Sequence, residues 1–220
     1  MIDLPRPLRG VLFDLDGTLA DSARDLYAAL RSLCAELDVP LPPFDPVRGK
    51  VSHGGRAVLR CALGDDAEAI ERALPRFLRL YAATGMRETR AFAGVDALLA
   101  GLAARGLTWG VVSNKGGALV DATLAKLGHD GAAAVVAGDT LPQRKPDPAP
   151  VLHACKLAAI EPAQALFVGD DVRDIEAGRA AGLFTVAAAW GYVDGADPRD
   201  WRPDAVCASP TELAAWLDGA

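Results

Sequence analysis

The feature that most constrains the fold is an alternation of short apolar runs with helical patterns. Six runs are predicted to be strands: residues 10–14, 108–113, 133–137, 165–169, 183–188 and 204–207. They are almost continuously apolar rather than alternating, which is typical of a parallel sheet covered by helices on both faces. The sequence therefore predicts an α/β fold with a doubly wound, Rossmann-like parallel sheet.

Helical patterns occupy the stretches between these strands, at residues 94–104, 117–127, 148–157 and 171–181. The second of them places apolar residues on one face and stops at Gly128, a common helix terminator. The dipeptide Asp147-Pro148 resembles an N-cap followed by proline at the first helical position. The first four connections between predicted strands thus each have a helix available for a crossover.

Residues 22–88 break this alternation, because they contain no convincing strand. Ser22 with Asp25 resembles a capping box, and a helical face follows, made of Leu26, Leu30, Leu33 and Leu37. A second helical pattern covers residues 68–81, where Pro75 is expected to kink it. We therefore predict a helical cap at residues 21–88, inserted into a core made of residues 1–20 and 89–220.

Composition narrows the class of protein. The chain has 220 residues, of which 51% are hydrophobic and 24% charged, and its net charge is -6. Because no lysine and arginine cluster suggests a nucleic-acid or membrane surface, we expect neither as a partner. The four cysteines form no C-x-x-C pair, and the first residues lack a long apolar region, so a cytoplasmic location is expected.

Polar residues follow three of the predicted strands at the point where each strand ends. Asp14 and Asp16 follow the first strand, Ser113 and Asn114 the second, and Asp170 the fourth. Ligands of open α/β sheets bind beyond the carboxyl ends of the strands, so these side chains are expected to meet there. A bare Asp-x-Asp-Gly could equally be a strand end with a turn, but the full set favours a site.

The residue types suit phosphoryl transfer with a bound Mg²⁺, which prefers oxygen ligands. Asp14 and Asp170 would hold the metal, and Asp14 would also be the nucleophile that forms an aspartyl-phosphate. Asp16 would be its neutral partner, acting as general acid and then as general base. Ser113 and backbone N–H groups would bind phosphoryl oxygens, and Lys145 would offset their charge.

Four segments, FDLDGTLADS, VVSNK, RKPDP and VGDDVRD, resemble the four motifs of the haloacid dehalogenase (HAD) superfamily, in the same order. The resemblance implies the same roles for Asp14, Asp16, Ser113, Lys145 and Asp170. It also implies that the backbone carbonyl of Asp16 is a metal ligand, and that Asp171 and Asp174 act through the metal's water shell or hold the loop. Segment 22–88 is similar to the helical cap of the phosphoglycolate-phosphatase-like branch.

Within the superfamily, particular residues favour a phosphatase. Haloacid dehalogenases lack an acid/base residue equivalent to Asp16. Sugar phosphomutases keep both aspartates, but their fourth motif tends to read Glu-Asp where this chain has Gly-Asp-Asp. A non-catalytic binding protein should have lost at least one of the catalytic residues, and none is missing. Phosphomutase and binding protein remain the alternatives.

The substrate is expected to be a small-molecule phosphate ester. We expect the core to bind its phosphate and the cap to recognise the remaining part. Basic and polar residues cluster around SHGG, from Arg48 to Arg56, and suit a substrate that carries a carboxylate. The candidate contacts are His53, Gly54, Arg56 and, from the core, Asn114.

The similarity extends beyond the catalytic motifs. The stretches LFVGDDVRDIEAGRAAG and AAWGYVDGADPRDW resemble the N-acetylmuramic acid 6-phosphate phosphatases of peptidoglycan recycling. The resemblance implies that sugar phosphate as substrate, with 2-phosphoglycolate as the alternative. A monomer is expected, with a dimer as the alternative.

Overall fold

The computed structural model describes residues 4–218, and its centre is a six-stranded parallel sheet. The strands of the chain are β1 (Gly10–Phe13), β2 (Ala20–Asp21), β3 (Arg90–Ala91), β4 (Thr108–Val112), β5 (Ala134–Val136), β6 (Ala165–Gly169), β7 (Phe184–Ala188) and β8 (Ala205–Cys207). The order in the large sheet is β5-β4-β1-β6-β7-β8. All six predicted strands are confirmed, with ends that differ by at most one residue.

Helices connect these strands. They are α1 (Ala23–Leu37), α2 (Phe44–Gly49), α3 (Gly55–Leu63), α4 (Ala67–Ala83), α5 (Val95–Ala104), α6 (Gly117–Leu127), α7 (Ala149–Leu157), α8 (Val172–Ala180) and α9 (Pro210–Asp218). The N-cap predicted for α7 is wrong by one residue, because Pro148 holds that position. Asp147 still accepts a hydrogen bond from the Ala149 N–H at 2.8 Å. None of the described helices combines the length and the apolar character needed to cross a membrane.

Successive residues of β1 show that the sheet is covered on both faces. Val11 and Phe13 belong to one apolar cluster with residues of α5, α6 and α9. Leu12, between them, belongs to another cluster with residues of α7 and α8. Because neighbouring strand residues point to opposite faces, β1 is packed on both sides. The doubly wound α/β architecture is therefore confirmed.

Helices α1–α4 pack around an apolar cluster of their own, which includes Phe77 and Tyr81 of α4. Three of the four leucines predicted on the inner face of α1 are buried there: Leu26, Leu30 and Leu33. Leu37, in the last turn, is 46% exposed. This cluster supports our proposal that residues 21–88 form a cap on a core of residues 1–20 and 89–220.

The chain enters and leaves the helical segment through β2 and β3, which pair antiparallel. The predicted capping box at Ser22 and Asp25 is wrong, because both side chains have partners elsewhere. The Ser22 hydroxyl donates to Asp16, and Asp25 accepts from the N–H groups of Glu88 and Thr89 and from the Thr89 hydroxyl. Tertiary partners thus replace the local cap and tie the two connections together.

Candidate active site

The predicted site residues meet where β4, β1 and β6 end side by side. Asp14 follows β1, the central strand of the three, while Ser113 follows β4 and Asp170 follows β6. The Asp14 N–H donates to the Val168 carbonyl at 2.9 Å, which continues the pairing of β1 with β6. All three side chains are buried. The prediction that parallel strand ends would bring them together matches this geometry.

Lys145 pairs directly with Asp14. Its ammonium group donates to Asp14 Oδ1 at 2.6 Å and to the Val112 carbonyl at 2.7 Å, and it lies 2.7 Å from Asp174 Oδ1. Burial raises the pKa of Asp14, and the neighbouring ammonium opposes that rise. For Lys145, burial favours the neutral amine, but the attraction of Asp14 and Asp174 outweighs it and raises its pKa. The lysine is therefore a buried, charged group beside the candidate nucleophile.

Asp16 faces a different lysine. Asp16 Oδ1 accepts from the Ser22 hydroxyl at 2.5 Å and from Lys115 Nζ at 2.9 Å. Lys115 also donates to the Tyr81 hydroxyl of α4 at 2.7 Å. Although burial lowers it, the pKa of Lys115 is raised to about 12 by Asp16 and Tyr81. The two aspartates of the Asp-Leu-Asp sequence thus contact different lysines, Asp14 contacting Lys145 and Asp16 contacting Lys115.

Asp14, Asp170 and Asp174 form a buried acidic cluster, with one oxygen of each lying within 4.8 Å of the others. Burial and the charges of the other two raise the pKa of Asp170 well above its usual range. Burial, only partly opposed by Lys145, also raises the pKa of Asp174 to about 7. One lysine does not balance three carboxylates, and an all-oxygen set suits a hard divalent cation such as Mg²⁺. The residues therefore fit a metal.

The predicted third ligand, the backbone carbonyl of Asp16, lies beside this cluster. The Ser52 hydroxyl is 3.1 Å from Asp16 O and 2.7 Å from Asp170 Oδ2, so one small group spans both oxygens. A close approach of Gly17 completes the arrangement, because a Cβ at this positive-φ residue (φ 95°) would overlap with the Asp170 carboxylate. The side chain of Asp16 points into the lysine contact described above instead.

Asp171 organises the turn from β6 into α8. It caps the helix by accepting from the Arg173 N–H, while Asp174 accepts from the Asp171 N–H. The Arg173 guanidinium donates to both Asp171 oxygens, and His53 Nε2 lies 3.1 Å away. Burial would raise the pKa of Asp171, but these hydrogen bonds outweigh burial and hold it below its usual range. Asp171 is thereby occupied by contacts with Arg173 and His53.

Asn114 is placed differently from a simple substrate contact. Its amide donates to the Lys145 carbonyl and accepts from the Lys145 N–H, both at 3.0 Å. This pair of bonds fixes the backbone from which Lys145 projects. Ser113 and Asn114 both line the cavity beside Asp14.

A cavity of about 360 Å³ opens above the two aspartates, between the sheet edge and helices α1, α3 and α4. Gly54 and Arg56, two of the predicted cap contacts, line it. His53, the third, lines a separate cavity of about 220 Å³ and contacts Asp171. Three of the four predicted substrate contacts, Asn114 included, therefore line the larger cavity.

Two contributors were missed by reasoning from the sequence, Lys115 and Tyr192. The Tyr192 N–H donates to Asp170 Oδ2 at 2.9 Å. Its hydroxyl accepts from the Ser22 and Ala23 N–H groups and donates to Asp21 Oδ1 at 2.9 Å. The sequence signal that could have identified both residues is their position, since Lys115 closely follows β4 and Tyr192 closely follows β7. Their partners, however, lie far away in the chain.

Comparison with known proteins agrees with this geometry. A sequence model described as haloacid dehalogenase-like hydrolase matches residues 11–188. A phosphoglycolate phosphatase of Xanthomonas campestris pv. campestris is 42% identical over 214 residues, 94% of this chain and 97% of the relative. An N-acetylmuramic acid 6-phosphate phosphatase of Pseudomonas putida is 39% identical over 217 residues, 97% of both chains.

Among solved structures, one from Haemophilus somnus 129pt, named as a predicted phosphoglycolate phosphatase, superposes with a TM-score of 0.87. It is 26% identical, and the match covers 96% of this chain and 98% of the other. Extensive matches to a family model, to curated phosphatases and to a solved structure agree with one another. The chain therefore belongs to the haloacid dehalogenase-like hydrolase family, as a phosphatase-type member.

Proposed function

We propose that this protein is a Mg²⁺-dependent phosphomonoester hydrolase that works through an aspartyl-phosphate on Asp14. The observation that carries the proposal is the division of labour at the sheet edge. Asp14 accepts a hydrogen bond from the buried Lys145 ammonium and belongs to an acidic cluster that fits a cation. Asp16 instead contacts Lys115. One carboxylate is thus available as nucleophile and the other for proton transfer.

Asp14, Asp170 and the Asp16 carbonyl would hold the cation, which when bound offsets negative charge on the reacting phosphate. Asp174 fixes Lys145 by an ion pair of 2.7 Å. Asp171 holds the loop through Arg173. This assigns a separate task to each of the acidic residues after β6.

In the first step, a carboxylate oxygen of Asp14 bonds to phosphorus and the ester P–O bond breaks. The departing oxygen takes a proton from Asp16. In the second step, Asp16 takes a proton from water, whose oxygen attacks the aspartyl-phosphate and releases phosphate and the Asp14 carboxylate. Because the contacts from Ser22 and Lys115 both fall on Asp16 Oδ1, Oδ2 is assigned the transferred proton.

The proposed substrate is N-acetylmuramic acid 6-phosphate, which would make the protein a cytoplasmic enzyme of peptidoglycan recycling. The size and lining of the cavity support a sugar phosphate. The cavity has a volume of about 360 Å³, and Leu74, Leu78 and Leu119 add apolar surface to a lining that also includes Asp14. A two-carbon acid phosphate would leave most of this apolar surface uncovered. The name of the Pseudomonas putida relative supports the same substrate.

The second candidate is 2-phosphoglycolate, favoured by the name of the Xanthomonas campestris pv. campestris relative. Both substrates carry a carboxylate in addition to the phosphate.

The test is phosphate release with Mg²⁺ from the two substrates, side by side. We expect kcat/KM to favour the sugar phosphate by about a hundredfold, or about 2.7 kcal/mol of transition-state binding. The opposite preference would make the protein a phosphoglycolate phosphatase. Asp14→Asn should abolish turnover, whereas Asp121→Asn, at an exposed position of α6, should not. Turnover by Asp14→Asn at the wild-type rate would refute the nucleophile, and isomerisation of a sugar phosphate without phosphate release would indicate a mutase.

A further inference from the structure

Three arginines line the large cavity, and two of them already have carboxylate partners. Arg56 donates to both oxygens of Glu71, at 2.5 and 2.9 Å. Arg173 donates to both oxygens of Asp171 and to the Ser52 carbonyl. A guanidinium that donates two hydrogen bonds to one carboxylate has already used the geometry with which it would recognise another.

The other basic residues near the cavity are engaged as well. Lys50 is paired with Asp194, and the Arg48 guanidinium lies 4.8 Å from the centre of the Tyr192 ring. Within the cavity, Lys115 and Lys145 hold the catalytic aspartates. Of the basic cap residues that the sequence suggested for a second anionic group, Lys50 and Arg56 are therefore paired with carboxylates, and Arg48 lies over the Tyr192 ring.

Arg144 is different. It lines the same cavity, it is exposed, and across residues 4–218 its side chain has no ion pair or hydrogen bond. It directly precedes Lys145, so its backbone is held beside the phosphate end of the cavity by the bonds between Asn114 and Lys145. A planar guanidinium matches a carboxylate through two parallel hydrogen bonds.

We infer that Arg144 binds the carboxylate of the substrate and so selects phosphate esters that carry one. This inference rests on the proposed function, because it assigns a second anchoring group in the same cavity. Phosphate is held by the core residues around Asp14, and the second negative charge is held by Arg144. The core, rather than the cap, would then supply the contact that distinguishes acidic from neutral esters.

The test uses two pairs of esters that differ only in the acidic group. N-acetylmuramic acid 6-phosphate is compared with N-acetylglucosamine 6-phosphate, and 2-phosphoglycolate with ethyl phosphate. Arg144→Gln should lower kcat/KM for the acidic member of the pair that is turned over by about 10- to 100-fold, as expected for a lost charge-assisted hydrogen bond. The neutral member should change by less than about threefold. Arg144→Lys should recover part of the loss, and Arg31→Gln, an exposed position on α1, should change neither.

An equal loss for both members of a pair would overturn the inference, because Arg144 would then serve the phosphate or the fold. No change for either member would overturn it as well. If the wild-type protein hydrolyses none of the four esters, the proposed function fails separately. The role of Arg144 is then tested by calorimetry in the Asp14→Asn background. The inference is supported if the acidic member of a pair binds more tightly than the neutral member and if Arg144→Gln abolishes this difference. Equal binding of both members refutes the inference.

Discussion

The acidic cluster predicts that the metal-free protein loses stability as the pH rises. Asp174 is buried with Asp14 and Asp170 around a single ammonium, and its pKa is raised to about 7. The proposed perturbation is removal of divalent cations with EDTA, followed by unfolding between pH 5 and pH 8. At the lower end of this window the unfolded chain has its aspartates ionised, whereas the folded metal-free protein keeps a proton on Asp174, which it loses as the pH rises through about 7.

The direction in which the free energy of unfolding changes with pH follows from the linkage between protonation and folding. A carboxyl whose folded pKa lies above its unfolded value stabilises the fold fully below the unfolded value, and this contribution disappears as the pH rises through the folded value. For Asp174 the rise from 3.8 to about 7 is about three pKa units, or roughly 4 kcal/mol in total. Between pH 5 and pH 8 we expect a loss of roughly 3 kcal/mol from this residue. The depressed pKa of Asp171 acts at lower pH, outside this window.

The assay is urea unfolding followed by tryptophan fluorescence at pH 5, 6, 7 and 8, with EDTA or with Mg²⁺. Added Mg²⁺ should restore stability most strongly at pH 8, because binding requires ionised carboxylates and releases their protons. Asp174→Asn is the matched variant, since it removes one titrating group and should make the pH dependence shallower, while Asp14 and Asp170, whose pKa values are also raised, supply what remains. Equal stability of the metal-free protein from pH 5 to pH 8, or an Mg²⁺ effect that does not grow with pH, would refute the reasoning.

Three further substitutions test contacts outside that cluster. Lys115→Met should lower kcat for an aryl phosphate by about 10²-fold or more, because Asp16 loses its ammonium partner; an unchanged kcat would show that this pair plays no part in proton transfer. Tyr192→Phe should destabilise the fold by about 1–3 kcal/mol in urea unfolding, since the buried N–H groups of Ser22 and Ala23 lose their acceptor; a change below about 0.5 kcal/mol would contradict this. Asp25→Ala should cost about 3 kcal/mol and Asp25→Asn less, because the amide keeps an acceptor for the Thr89 N–H; equal losses would argue that the negative charge dominates.

The core sheet could be predicted because its strands are buried on both faces, which makes each one a nearly unbroken apolar run. The pair β2 and β3 could not be predicted, since each strand has two residues and no pattern that distinguishes it from a loop. Helices α2 and α3 were also missed, because they have only 6 and 9 residues and lie beside proline-rich and glycine-rich segments that are typical of loops. At Ser22 the sequence pattern predicted a local cap that does not form, because the Ser22 hydroxyl donates to Asp16 instead.

The candidate site was predictable to the extent that it depends on strand ends. Asp14, Ser113 and Asp170 follow adjacent parallel strands, so topology alone brings them together. The contacts of Lys115 with Asp16 and of Tyr192 with Ser22 join residues separated by 99 and 170 positions. Nothing local in the chain encodes such pairings, because they depend on how the helical segment packs against the sheet.

The hydrogen bond from Ser22 to Asp16 has a consequence for how substrates are distinguished. Ser22 directly precedes α1, and Tyr81 of α4 reaches the same carboxylate through Lys115. The four-helix segment is therefore connected through hydrogen bonds to Asp16, the residue proposed to transfer protons. An ester too small to hold these helices in place would be penalised in its rate of turnover as well as in its affinity, so a comparison of Michaelis constants alone would understate the selectivity of the enzyme.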